Sequence, residues 1–285
     1  MNSGEEKVAL NLMYITNNPE VAQIAEKAGV NRIFIDMEYI GKELRQKGMD
    51  TVQSHHTIQD ILNVRKVIKK SDVLVRCNPI HNATKEYDDS EKEINSIIDS
   101  GADWIMLPYF KKKKEVESFL NIVHGRTKTM LLFETPEAVE CIDEILKLDG
   151  IDEAFIGLND LSIGYQKKFM FELLADGTVE KLALKFRMNK IPFGFGGIAR
   201  VGKGALPAEK IIKEHYRLFS QSVILSRSFC NTSVIRELNE IDKVFSKGIS
   251  EIRFVEEECK EHRDFFKNNI NDIENIIKTI KTGEA

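Results

Sequence analysis

Five ionisable residues stand at the ends of short apolar runs: Asp36 and Glu38 in FIDMEY, Arg76 in VLVRCNP, Glu134 in LLFET and Asp160 in FIGLND. A charge at the end of an apolar strand is partly withdrawn from water, so it needs a partner to offset its lost hydration. Glu134 and Asp160 together could hold a small hard cation, Mg²⁺ or Mn²⁺, with water and substrate oxygens completing the shell. The same two acids could instead cap the helices that follow them, as Asn159-Asp160 ahead of Leu161 and Ser162 would. Arg76 is the one charge of its strand. Its planar fork suits a substrate carboxylate or a structural salt bridge to Glu38 or Glu134, and the two roles are compatible.

Two loops add further groups. The segment GFGGIARVGKG, residues 194–204, spaces Gly197, Gly202 and Lys203 like a Walker A loop, but Gly204 stands where Ser or Thr should hold Mg²⁺. Read as a rim loop, it offers the backbone N–H groups of Gly196 and Gly197 together with Arg200, Lys203 and, beyond the next strand, Arg227. That is an anion cradle or a glycine-rich turn with solvated cations. The loop from Tyr39 to Thr57 carries Lys42, Arg45, His55 and His56. It is long for a strand-to-helix connection, which suits a functional lid contacting substrate, although loop histidines are commonly surface groups.

The elements that must position these residues follow from periodicity. Apolar runs at 8–15, 31–38, 72–79, 104–110, 129–135, 153–160, 191–198 and 222–229 read as strands. Helical segments alternate with them: 19–28, 58–69, 90–100, 112–123, 136–148, a longer piece within 168–189, and 207–219. Eight such units predict an α/β fold, a (β/α)₈ TIM barrel with every strand's C-terminus on one catalytic rim. The expected division is a barrel over residues 1–230 and a helical extension over 231–285. An apolar stripe of Ile235, Leu238, Ile241 and Phe245 fits that extension to the barrel or to a neighbouring subunit.

Composition narrows the class. The 285 residues are 42% hydrophobic and 30% charged, the balance of a globular protein. A formal net charge of −4 argues against a nucleic-acid binder, and the basic run Lys111 to Lys114 reads as a solvated helix start. No apolar run reaches the ~18 residues of a membrane span. The start, MNSGEEKVAL, lacks signal-peptide features, which points to the cytoplasm. Cys77, Cys141, Cys230 and Cys259 show no paired spacing and are read as reduced thiols without a metal.

The stretch FETPEAVECIDEILKLDGIDEAFIGLNDLSIG, with the Asp-x-Glu end at Asp36 and Glu38, the Val-Arg strand at Arg76 and GADWIMLPYF, resembles the HpcH/HpaI aldolase and citrate lyase family over about residues 8–230. The resemblance implies a phosphoenolpyruvate/pyruvate-type barrel. Glu134 and Asp160 would bind the divalent metal, a 2-oxo acid would chelate it, and Arg76 would stabilise the enolate formed on carbon–carbon cleavage. The backbone of Leu158, Asn159 and Asp160 would contact the same carboxylate. The pattern departs from the family at Tyr39, where the aldolase branch has a catalytic histidine, and at Leu132, where many aldolases have Gln. The base is then expected from elsewhere, with His55 and His56 as candidates, and the co-substrate is expected to be larger, phosphorylated or sugar-derived. The citrate lyase branch implies an alternative, a CoA-thioester lyase or hydrolase. Loss of the base would leave a non-catalytic binding barrel. Family rings imply a homo-oligomer.

Overall fold

A computed structural model of the chain describes residues 9–42, 54–261 and 264–282. Eight parallel strands close into a barrel in chain order: β1 (Asn11–Ile15), β2 (Arg32–Asp36), β3 (Asp72–Arg76), β4 (Trp104–Leu107), β5 (Lys128–Phe133), β6 (Glu153–Ile156), β7 (Phe193–Ile198) and β8 (Ser222–Leu225), with β1 pairing β8. Helices separate them: α1 (Pro19–Ala28), α2 (Ile58–Val67), α3 (Ser90–Asp99), α4 (Lys113–Val123), α5 (Pro136–Glu140), α6 (Ile142–Ile145), α7 (Leu158–Gly164), α8 (Glu172–Ala175), α9 (Thr178–Met188) and α10 (Ala208–Leu218). The expected (β/α)₈ barrel is the observed one.

Local chemistry sets several boundaries. The Asn18 side chain caps α1 through the N–H groups of Glu20 and Val21, Pro19 opens the helix, and Gly29 closes it in the left-handed region. Thr57 and Asp60 form a reciprocal capping box at α2. Strand starts are tied in pairs by the residue just ahead of the next strand. Asn31 accepts from Leu12 N, Asp103 from Val73 N and Asp152 from Thr129 N, at 2.8–2.9 Å.

Side-chain alternation divides the apolar residues into two cores. Met13, Phe34, Leu74, Trp104, Met106, Met130, Leu132 and Phe155 form a small cluster of their own, filling the barrel. Their neighbours along each strand join the larger cluster between strands and helices. The inward series then runs Arg32, Phe34, Asp36 on β2, Leu74, Arg76 on β3, and Met130, Leu132, Glu134 from β5. The same period of two that packs the interior therefore delivers Asp36, Arg76 and Glu134 to its top. At the opposite end Arg32 pairs with Glu153 at 2.7 Å, Ser222 donates to Glu153, and the Arg32 guanidinium lies 3.9 Å over the Trp104 ring.

The tail forms α11 (Leu238–Glu261) and α12 (Phe265–Thr282). α11 packs on α1 and α10, the place of an eighth outer helix, and buries Ile241 and Phe245 of the apolar stripe, while Leu238 is largely exposed. Its buried Glu256 accepts hydrogen bonds from Leu10 N, Tyr216 and Arg253, which fastens the helix to the start of β1. α12 packs on α10 and α8. The boundary expected at residue 230 falls between β8 and α11.

Candidate active site

Asp36 ends β2 and Arg76 ends β3, and the two are paired in register across the sheet. Arg76 donates from Nε and Nη2 to the two oxygens of Asp36, at 2.8 and 2.7 Å, in a bidentate fork. Its Nε also lies 3.4 Å from Glu38, which is 1% exposed. Lys42, read from the sequence as one of the rim-loop groups that could contact substrate, is 4% exposed, with Nζ 3.0 Å from Asp36 and 3.4 Å from Glu38. Among the described residues, two acids and two cations thus form one charge-balanced cluster. Burial alone would raise the Asp36 carboxyl, but Arg76 and Lys42 outweigh it and hold it well below the usual carboxylate range. Burial likewise works against the charge of Arg76, and Asp36 and Glu38 overcome it. Asp36 is therefore a permanent carboxylate that orients Arg76 and does not carry a proton near neutrality.

The backbone N–H groups between these side chains are each satisfied. Asp36 N donates to His56 Nδ1 at 3.0 Å, Met37 N to the Arg76 carbonyl at 3.0 Å, and Glu38 N to Asp36 at 3.2 Å. Tyr39 N and Ile40 N both donate to Asn78 Oδ1 at 2.9 Å. Because Nδ1 of His56 accepts, its ring proton sits on Nε2. Burial pulls this histidine below the usual imidazole range, which keeps the ring neutral. His55 is exposed, and Arg45 lies outside the described residues. The Tyr39 ring, 45% exposed, turns from the acids to pack edge-on against Tyr87.

Glu134 follows β5 directly and is buried. Its Oε1 accepts from Tyr109 N at 2.9 Å. Tyr109 holds a left-handed backbone, φ 48°, a strained conformation for a tyrosine at the end of a barrel strand's connection. Gly157 packs so closely on Glu134 that a Cβ there would lie 2.7 Å from the glutamate Cβ and 2.8 Å from Oε2. Asp160 does not end a strand as the sequence suggested: β6 stops at Ile156 and the residue lies in the first turn of α7. Gly157 ends the strand, and Leu158 and Leu161 are buried at helical spacing. Neither acid is a cap. Thr135 caps α5, and Gly157 occupies the cap position of α7.

Glu134 and Asp160 line one cavity of about 420 Å³ with Tyr109, Lys111, Glu137 and Glu140. Four of the described lining residues are carboxylates and one is a lysine, and carboxylate oxygens are the ligands that a hard cation takes. Among the described residues no group of three or more His, Cys, Asp or Glu side chains converges. The donor set that fits is two carboxylates with water and substrate oxygens, the usual manner of holding Mg²⁺. Lys111, expected in a solvated run, pairs with Glu137 at 2.9 Å while also lining this cavity.

The glycine loop sits apart from that cavity. Arg200 is half-buried, its Nε without a hydrogen-bond partner among the described residues, whereas Lys203 and Arg227 are exposed. Gly197 lies within β7, and the Gly202 N–H is taken by Glu209 at 3.0 Å. Leu158 is buried and Asn159 half-buried at the start of α7.

Sequence reading missed Tyr109, Asn78, Lys111 and Gly157 as site residues. Only Gly157, a glycine between an apolar strand and an acid, carried a local signal. The other three act through a backbone N–H, a side-chain amide and a position on the cavity wall, which no spacing reports.

The fold is a (β/α)₈ barrel with its ionisable groups gathered at the C-terminal rim, where such barrels keep their active sites. Residues 11–185, more than half of the chain, match the model of the HpcH/HpaI aldolase/citrate lyase family, and the chain belongs to that family. It is a family of lyases acting on small molecules and generally dependent on a divalent metal. Similar solved structures include an HpcH/HpaI aldolase/citrate lyase family protein from Burkholderia cenocepacia J2315, with 12% identity, TM-score 0.59, and coverage of 83% of this chain and 96% of that one. An HpcH/HpaI aldolase from Desulfitobacterium hafniense DCB-2 shares 16% identity at TM-score 0.58, covering 82% and 93%. The citrate synthase SbnG shares 14% at TM-score 0.58, covering 82% and 94%. At these identities the likeness is one of fold. No curated protein matches the chain closely enough to count as a relative. No helix among the described residues is long and apolar enough to cross a membrane.

Proposed function

We propose that the chain is a divalent-metal-dependent carbon–carbon lyase or aldolase acting on a 2-oxo acid, with Glu134 and Asp160 holding Mg²⁺ or Mn²⁺. The observation that carries this reading is the shared cavity into which two successive βα units bring those acids. The bound cation would supply Lewis-acid polarisation of the substrate carbonyl.

The chain's own residues do the rest. Tyr109 N–H occupies one oxygen of Glu134 and fixes the carboxylate plane, while Gly157 gives it room. Asp36 uses two of the five N–H groups of Arg76, which leaves up to three for the carboxylate or the developing enolate oxygen. The backbone of Leu158 and Asn159 at the start of α7 would face the same carboxylate, as helix N-termini favour anions. Glu38 and Lys42 offset each other beside the Asp36–Arg76 pair, so the guanidinium would meet substrate as an oriented hydrogen-bond donor and the bound cation would offset the substrate's charge. In this arrangement His56 is a donor through Nε2 and a holder of Asp36, and His55 is the imidazole left to accept a proton. A phosphorylated or sugar-derived co-substrate would extend toward Arg200, Lys203 and Arg227 on the β7–β8 arc. A CoA ester is the alternative ligand for those cations.

Calorimetric titration of Mn²⁺ with oxalate tests the site. Wild type is expected to bind both together and Asp160→Asn to lose the metal; binding retained in that variant would sink the assignment.

A further inference from the structure

We infer that Asn78 is a positioning residue for the Asp36–Arg76 pair, and that Glu93 sets its orientation. Asn78 is buried and bridges two elements. Its Oδ1 accepts from Tyr39 N and Ile40 N at 2.9 Å each, which fills both lone pairs of one amide oxygen. Its own N and Nδ2 donate to Glu93 Oε1, at 3.1 and 2.8 Å. Glu93, on α3, thereby decides which end of the amide faces the turn. Flipped, Nδ2 would meet two N–H donors, leaving three donors together and no acceptor. The second Glu93 oxygen is buried, has no hydrogen bond among the described residues and lies 3.8 Å from His81 Nε2, so one carboxylate oxygen is dedicated to Asn78.

The turn held this way brings Lys42 back onto Asp36 and Glu38. Fixing Tyr39 N and Ile40 N keeps Glu38 and Lys42 on the side of Arg76 and sends the Tyr39 ring outward to Tyr87. Without Asn78 the two N–H groups have no acceptor on the strand side, and the Lys42 ammonium loses the backbone that delivers it to both acids. The kinetic consequence rests on the reading of Arg76 as the substrate cation; the geometric one does not.

Hydrogen–deuterium exchange over residues 36–42, with oxalate affinity and pyruvate turnover, tests the inference in Asn78→Ala, Glu93→Gln and Glu93→Ala. In Asn78→Ala the Tyr39 and Ile40 amides are expected to exchange about tenfold faster, the equivalent of roughly one buried hydrogen bond. Turnover is expected to fall by about 10²-fold, as a misplaced substrate cation would cause. Glu93→Gln keeps the acceptor and is expected to match wild type, whereas Glu93→Ala is expected to follow Asn78→Ala. Should Asn78→Ala not fold, the two Glu93 variants supply the same comparison. Unchanged exchange over 36–42, or exchange raised evenly around the barrel, would overturn the inference. If wild type turns nothing over, the proposed function fails while the exchange pattern still decides this point.

Discussion

Asp36→Asn is the substitution that bears hardest on the rim cluster. In the native chain one carboxylate accepts two hydrogen bonds from Arg76, at 2.8 and 2.7 Å, and one from Lys42 at 3.0 Å, all out of water. The amide removes the charge and leaves Arg76 and Lys42 with Glu38 as the nearest carboxylate among the described residues, 3.4 Å from each. Removing one partner of a buried pair typically costs about 3–5 kcal/mol. In a chain of this size that corresponds to a fall in Tm of roughly 10 °C. The pH dependence has a definite sign. Folding holds the Asp36 carboxyl below its unfolded value, so its stabilisation is complete above the unfolded carboxylate range and is lost as pH falls toward the folded one. The gap between wild type and variant is therefore expected to be full at pH 7 and to narrow below about pH 4. Thermal unfolding followed by circular dichroism across that range reads both features. A variant within about 2 °C of wild type at pH 7, or a gap that does not change with acid, would refute the account of the cluster.

Three further outcomes can be checked with purified variants. Gly157→Ala places a Cβ 2.7 Å from the Glu134 Cβ and 3.2 Å from Leu132, so it is expected to displace Glu134, weaken Mn²⁺ binding in calorimetry and cost about 1–3 kcal/mol of stability. Tyr39→Phe is expected to leave kcat within about twofold of wild type, because the ring is exposed and packs on Tyr87; a loss approaching the 10²–10⁴-fold of a lost general acid or base would make the hydroxyl a participant. Glu153→Gln at the opposite end of the barrel breaks the buried pair with Arg32, at an expected cost of about 3 kcal/mol in denaturant unfolding, with oxalate affinity unchanged.

The barrel was legible because its signals are periodic. The apolar runs that end at Asp36, Arg76 and Glu134 read as strands and are β2, β3 and β5, and the helix expected over 19–28 is α1. Asp160 shares a cavity with Glu134 but does not end a strand, since FIGLND is apolar enough to read as strand while Gly157 stops it. The helix expected over 136–148 breaks at Cys141, where no proline or glycine announces it. The partners of Arg76 were only half visible: Glu38 was named, but the bidentate contact is with Asp36. Lys42 was legible only as a rim-loop cation; its burial depends on two acids brought close by the strand end and turn before it, which loop composition does not report.

The central claim is that Glu134 and Asp160 hold a divalent cation for enolate chemistry on a 2-oxo acid. The direct measurement is exchange of the pyruvate methyl protons in deuterated buffer, followed by proton NMR with Mg²⁺ or Mn²⁺. Wild type is expected to exchange them only when the metal is added, and Glu134→Ala to show none. Exchange by Glu134→Ala at the wild-type rate, or none by wild type with any divalent ion, would contradict it.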